Sequence, residues 1–352
     1  MSRLLVVYSD DLRRISFTPF SLREAWTKRI QLFYDDYLPL LEKKAEVVKV
    51  PLEPIAEEDL LLAHTPEYVE FVKRKSQEGK GLLDYGDTPA YPHVFEDAVK
   101  TVSATLTLTK KLAPKGGVAF NPNGGFHHAR RSAAGGFCVF NDLALAALWL
   151  KKNGVRKIAI VDIDAHHGDG TQQILYREDI LKISIHGYGY GFYPGTGWID
   201  EIGEGQGYCR NVNIPLPLGS GDDVFTVALE EVISPVLKKY NPDFLIIQGG
   251  VDAHAGDPIA ELRFSEASYL RFSLLIQRFV ALGKPVLVAG GGGYLPETVA
   301  RIWALMLAVL IGLDARDFIA GEDETSSTSL IVNTVKDRIN WLKNTIEEKC
   351  GF

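Results

Sequence analysis

Short runs of β-branched and aliphatic residues recur along this chain, each followed by a longer stretch with the apolar spacing of an amphipathic helix; no other feature narrows its fold so far. Strands are expected at Leu4–Tyr8, Val47–Val50, Gly117–Phe120, Ile158–Ile163, Leu181–Ile185, Phe244–Gln248 and Val286–Ala289. Most of these runs are apolar at nearly every position, as strands covered on both faces are. Helices are expected at about Leu22–Lys44, Phe95–Leu112, Asp142–Lys152, Asp222–Lys239, Glu266–Ala281 and Pro296–Leu310. Strands that alternate with helices predict an α/β protein built on one doubly wound parallel sheet of seven or eight strands.

No Pro-, Ser- or Gly-rich linker and no internal repeat divides the 352 residues, so one domain is expected over the whole length. The polar stretch Gly321–Thr328 reads as a surface loop before a last helix near Leu330–Lys349. Hydrophobic content of 46% and charged content of 24% are those of a soluble globular protein. The apolar run at the N-terminus is too short for a signal peptide, and the stretch Ile302–Leu313 is too short to span a bilayer. A net charge of −7 argues against nucleic-acid binding and suits a cationic partner. The three cysteines, Cys138, Cys209 and Cys350, are odd in number and far apart, which suggests neither a disulfide framework nor a CxxC metal site. A reducing cytoplasm is the expected location.

In a sheet of this kind ligands lie beyond the carboxyl ends of the strands. The loops expected there, Asn121–Ala129, Asp162–Gly170, Gly249–Asp257 and Gly290–Tyr294, are rich in Gly, His and Asp. Asp162-Ile-Asp-Ala-His-His-Gly-Asp169 follows a buried strand. Strand periodicity puts Asp162, Asp164 and His166 on one side. Asp164 and His166 can then share a metal with Asp162 behind them, and Asp252 is the best carboxylate for a third ligand. Two Asp and one His leave Zn²⁺ a position for water and substrate. A lone Asp-x-His would be no more than chance, with Asp169 capping a helix; three carboxylates and two histidines in eight residues are not.

His127 and His128 follow two glycines in Asn-Gly-Gly-Phe-His-His-Ala-Arg. Amide hydrolysis needs one group to accept a proton from water and one to give a proton to the leaving amine. Two imidazoles can share that work, with Asp162 and Asp169 as orienting carboxylates. Gly290-Gly-Gly-Gly-Tyr294 allows a tight backbone path ending in a phenol that can donate to an oxyanion. A phosphate loop is the weaker reading, because no Lys-Ser/Thr follows the glycines.

These segments resemble the histone deacetylase superfamily, which includes acetoin-utilisation proteins and acetylpolyamine amidohydrolases. Gly-Gly-Phe-His-His-Ala, Gly-Phe-Cys-Val-Phe-Asn-Asp, Asp-Ile-Asp-Ala-His-His-Gly-Asp-Gly, Tyr-Pro-Gly-Thr-Gly, Gly-Gly-Val-Asp-Ala-His-Ala-Gly-Asp-Pro and Gly-Gly-Gly-Gly-Tyr occur in family order between about residues 4 and 312. The resemblance implies an arginase/deacetylase fold with an eight-stranded parallel sheet and a zinc-dependent deacetylase in bacterial or archaeal cytoplasm. It implies one Zn²⁺ on Asp164, His166 and Asp252, with Fe²⁺ not distinguished, and Tyr294 as transition-state donor. His127 would pair with Asp162, and His128, the main general base, with Asp169. Gly136, Phe137 and Tyr193 would line the substrate tunnel, Asp87 would hold substrate at the rim, and Arg23 would sit on the acetate exit path. A structural K⁺ is implied on Asp162 and on carbonyls near Asp164, His166, Ser184 and Ile185. Two departures stand out: Tyr193 replaces the Phe of many relatives, and no His-Pro precedes Arg23. The substrate is either an acetylated protein lysine or an acetylated small amine, and self-association is left open.

Two other readings share the fold. A binuclear manganese ureohydrolase of the arginase or agmatinase kind needs an Asp two residues after the loop histidine, where this chain has Gly168. A non-catalytic binder of acylated lysine would keep the pocket without the chemistry, yet the expected catalytic residues are all present.

Overall fold

The computed structural model describes residues 3–351. Eight strands, β1 (Leu4–Tyr8), β2 (Val47–Pro51), β3 (Val118–Asn121), β4 (Ile158–Asp162), β5 (Leu181–Gly187), β6 (Asn211–Leu216), β7 (Phe244–Gln248) and β8 (Val286–Ala289), form one sheet in the order β2-β1-β3-β8-β7-β4-β5-β6. Every pairing is parallel. β3, β4, β7 and β8 are buried along their whole length and flanked by helices, which is why their sequences read as unbroken apolar runs. β6 escapes the sequence pattern. Its residues Asn-Val-Asn-Ile-Pro-Leu carry two amides and a proline: Pro215 is tolerated because β6 is an edge strand, and the buried amides of Asn211 and Asn213 both donate to Gln172 Oε1.

The long helices expected at 22–44 and 222–239 each contain one widened π turn, Phe33–Tyr37 and Leu229–Ile233. Both turns end just before a proline, Pro39 and Pro235. Proline has no N–H for the carbonyl four residues back. The N–H groups of Leu38 and Ser234 instead reach five residues back, to Phe33 and Leu229. The proline therefore widens each helix without ending it.

The stretch Gly321–Thr328 is tied down along its length. The N–H groups of Gly321 and Glu322 donate to Glu266, that of Thr325 to Asp222 and that of Ser327 to Asp223. It leads into the last helix, Ser329–Cys350, which buries Val335, Ile339 and Leu342 and lies along β6, where Arg338 Nη1 donates to the Pro215 carbonyl at 2.6 Å.

The expectation of unpaired cysteines fails here. Cys350, at the end of that helix, is disulfide-bonded to Cys209 in the β5–β6 connection. A helix returns the chain across 141 residues to make the pair, a closure that cysteine spacing does not encode. Only Cys138 is free among the described cysteines, and it is buried. The disulfide also removes the cysteine argument for a reducing compartment. Among the described residues no helix is long and apolar enough to cross a membrane.

Candidate active site

Four loops meet beyond the carboxyl ends of β3, β4, β7 and β8, at the centre of the sheet. β4 ends at Asp162, and the chain then leaves the sheet through Asp164 and His166; Asp252 follows β7. One donor atom from each of Asp164, His166 and Asp252 lies within 4.8 Å of the others. His166 Nδ1 is 2.9 Å from Asp252 Oδ2 and 3.3 Å from Asp164 Oδ1. Backbone and amide donors fix the carboxylates from behind: Gln248 Nε2 (2.8 Å) and Gly292 N–H (2.7 Å) donate to Asp164, and Ala165 N–H (2.8 Å) donates to Asp252. The backbone here has no room for a side chain, since a Cβ on Gly292 would lie 2.4 Å from Asp252 Oδ2.

Both carboxylates are buried, which strongly favours a cation between them. Burial and the nearby Asp164 push the Asp252 carboxyl up to about 7. For His166, burial opposes the charged form, but the two carboxylates overcome it and raise the imidazole to about 10. Two hard oxygens and one imidazole nitrogen facing a common point suit a divalent ion of the Zn²⁺ type.

The two histidines beside this cluster are rigidly held. His127 Nδ1 lies 2.8 Å from Asp162, and His128 Nδ1 lies 2.7 Å from Asp169, whose other oxygen accepts from Arg130. Their rings are 4.0 Å apart, yet their environments differ. Burial lowers His127, but Asp162 and Asp164 outweigh it and raise the ring to about 9. His128 is pushed down to about 4 by burial and by His127. The carboxylates around His127 thus favour its charged form, whereas burial beside His127 favours the neutral form of His128.

The rings open into a cavity of about 160 Å³, smaller than the roughly 300–1,000 Å³ of common ligand pockets and suited to one slender arm of a substrate. Phe137, Tyr193, Ile259, Trp26 and Phe126 are among its apolar walls, Tyr294 faces the cluster and Asp87 stands at the mouth. Gly136 has φ +51°, and a Cβ there would lie 2.4 Å from His128 Cδ2, so only glycine fits. Asp162 and Ser184 are register partners on β4 and β5, with Ile185 next on β5. Arg23 is not part of this cavity. It is exposed, its guanidinium 5.7 Å from the centre of the Tyr91 ring.

Residues 26–310 match the histone deacetylase domain. The chain belongs to the histone deacetylase family. A probable deacetylase of Archaeoglobus fulgidus is 39% identical over 308 residues, spanning 83% of this chain and 79% of its own. Acetoin utilization protein AcuC of Bacillus subtilis is 36% identical over 273 residues, 74% of this chain and 70% of its own. The solved HDA15 HD domain superposes with a TM-score of 0.81 at 29% identity, covering 99% of this chain and 95% of that one. The histone deacetylase fold is the arginase/deacetylase fold, and membership makes this chain a hydrolase acting on amide bonds.

Several residues that shape this histone deacetylase site were given no role in it from sequence, although Asn141 and Asp142 close the Gly-Phe-Cys-Val-Phe-Asn-Asp segment. Asp142, read from sequence as a helix start, accepts from the N–H groups of Gly125 and Phe126 and so fixes the turn before the histidines. Asn141, the cap of the same helix, donates from Nδ2 to the Ala129 carbonyl on the other side of them. Trp26 and Arg29 come from the helix Phe20–Leu32, where nothing but an apolar position and a charge is visible. The Arg29 guanidinium is buried 3.6 Å over the Trp26 ring; Nη1 donates to the Gly293 carbonyl, whereas Nε and Nη2 have no hydrogen-bond partner among the described residues.

Proposed function

We propose that this chain is a zinc-dependent deacetylase that hydrolyses the acetamide of an N-acetylated amine, either an acetyl-lysine in protein or a small acetylated amine. The observation that carries this reading is the convergence of Asp164, His166 and Asp252 on one point, with two histidines, each hydrogen-bonded to its own buried carboxylate, and a phenol lining the same cavity. Asp164, His166 and Asp252 would hold a divalent ion, which would supply Lewis acidity toward the acetamide carbonyl and a water.

The chain's own residues supply the rest. His128, neutral and held by Asp169, accepts the proton of the attacking water. His127, held by Asp162, stabilises the negative charge that develops, its Nε2 lying 3.8 Å from Asp164 Oδ1. Either ring can pass a proton to the leaving amine. Burial keeps the Tyr294 phenol protonated, and its O–H donates to the oxyanion. Gly136, Phe137 and Tyr193 exclude water around the alkyl arm, and Asp87 accepts hydrogen bonds from the substrate outside the mouth. A K⁺ on Asp162 and the neighbouring carbonyls of Asp164, His166, Ser184 and Ile185 would stiffen the β4–β5 end. Arg23 has no role in this scheme, because its charge lies outside the cavity.

The binuclear manganese reading lacks a bridging carboxylate: Asp169, the nearest candidate, is fully engaged by His128 and Arg130. The test combines metal analysis of protein purified without added metal with a fluorogenic acetyl-lysine peptide assay. One divalent ion per chain, turnover abolished by chelation or a hydroxamate, and a roughly 10²–10⁴-fold lower kcat in His128→Ala are expected. Two Mn²⁺ per chain, or wild type and variant equally slow, would defeat it.

A further inference from the structure

We infer that Trp26 sets the length of acyl chain this site accepts, closing the cavity behind the reacting carbonyl so that acetyl fits and longer chains do not. The inference rests on the deacetylase reading above and goes beyond it to the acyl half of the substrate. Two other aromatic rings stand near Tyr294, each with its centre 6.3 Å away: Phe137 and Trp26. Phe137 stands on the route to the mouth, where Asp87 and the half-exposed Tyr193 lie. With the carbonyl at Tyr294 and the alkyl arm running out past Phe137, the acyl chain points the other way. It meets Trp26, which is only 4% exposed and so belongs to the deep wall.

That wall is stiff. The Trp26 ring stacks on Phe126 at 6.2 Å with 27° between planes, and its Nε1 donates to Asn123 Oδ1 at 3.3 Å. Asn123 in turn donates to the carbonyls of Leu12 and Ile15, and the Arg29 guanidinium lies 3.6 Å over the ring. The adjoining glycine loops are packed directly on each other: Gly291 N–H donates to the Gly124 carbonyl at 2.9 Å, and a Cβ on Gly125 would lie 2.5 Å from Gly291 N. A wall held in this way cannot turn aside for extra methylenes. A single methylene against a fitted apolar wall is worth about 10–200-fold in kcat/KM. Trp26 comes from a helix that carries none of the metal or proton-transfer groups, so shortening it enlarges the acyl end without altering them.

The experiment measures kcat/KM of the metal-loaded enzyme for one peptide bearing acetyl-, butyryl- or hexanoyl-lysine, in wild type, Trp26→Phe and Trp26→Ala, with a thermal melt of each variant. Wild type should prefer acetyl over hexanoyl by at least tenfold. Trp26→Ala should raise the hexanoyl-to-acetyl ratio at least tenfold by gaining hexanoyl activity, and Trp26→Phe, the milder change should Ala not fold, should raise it by less. A folded variant with acetyl activity and an unchanged ratio would overturn the inference, as would a wild type that cleaves all three chains equally. A wild type inert toward every chain would defeat the deacetylase reading itself and take this inference with it.

Discussion

Asp169 sits at the crossing of two demands, since one oxygen orients His128 while the other accepts Arg130. Asp169→Asn keeps the shape but loses the charge that fixes which His128 nitrogen carries the proton. Its kcat should fall roughly 10²–10⁴-fold with little change in KM, measurable by steady-state kinetics on an acetyl-lysine peptide. His64 supports the same loop from outside. One ring nitrogen accepts from Asn141 N–H and the other donates to the Arg130 carbonyl. Burial lowers this imidazole from 6.5 to about 4. The unfolded chain therefore binds this proton at higher pH than the folded one, so the contribution to stability is complete above pH 6.5 and drains away as pH falls toward 4. The loss is at most about 3 kcal/mol. His64→Gln can keep both hydrogen bonds without titrating. Its melting temperature should fall less between pH 7 and 4.5 than that of wild type, and parallel declines would clear His64 of this role. Asp164, His166 and the histidine pair were legible because consecutive loop positions put several donors in one short segment. Trp26 and Gln248 were not, because a wall tryptophan and a strand-end amide look the same in sequence whether or not a site lies beside them.

Strands that are buried on both faces leave a period of one in the sequence, and β1, β7 and β8 have the bounds that their residues predict. The edge strand β6 does not: all six positions are buried, but Asn211 and Asn213 satisfy their amides on Gln172, so the strand holds polar residues without an apolar run. The helix Pro66–Glu78 shows the opposite case, a missed element with readable punctuation. Thr65 Oγ1 accepts from Tyr68 N–H, Pro66 starts the first turn and Gly79 ends the helix at φ +64°. Its apolar positions are sparse, so periodicity alone passes over it. Thr65→Ala should cost about 1 kcal/mol in urea denaturation, with an unchanged m-value. The prolines within the two long helices mark their widened turns, which periodicity cannot distinguish from straight helix.

Across the whole molecule, the arrangement that sequence conveyed least is how the last helix is fastened. The disulfide from Cys209 to Cys350 clamps the last helix against β6 and the β5–β6 connection, which also carries Tyr193. Closing a loop of 141 residues constrains the unfolded chain by up to about 5 kcal/mol on the chain-entropy account. Dithiothreitol should release two thiols and lower the melting temperature, and Cys350→Ser should melt at the lower temperature with or without reductant. Three reactive thiols in the unfolded, unreduced protein would show that the bond does not form. The strand order has a different consequence. β8, made from residues 286–289, lies between β3 and β7 and joins β2-β1-β3 to β7-β4-β5-β6. While the chain is still being synthesised, the ribosome holds two half-sheets with unpaired inner edges until this late keystone emerges, so aggregation during translation is most to be feared in that interval.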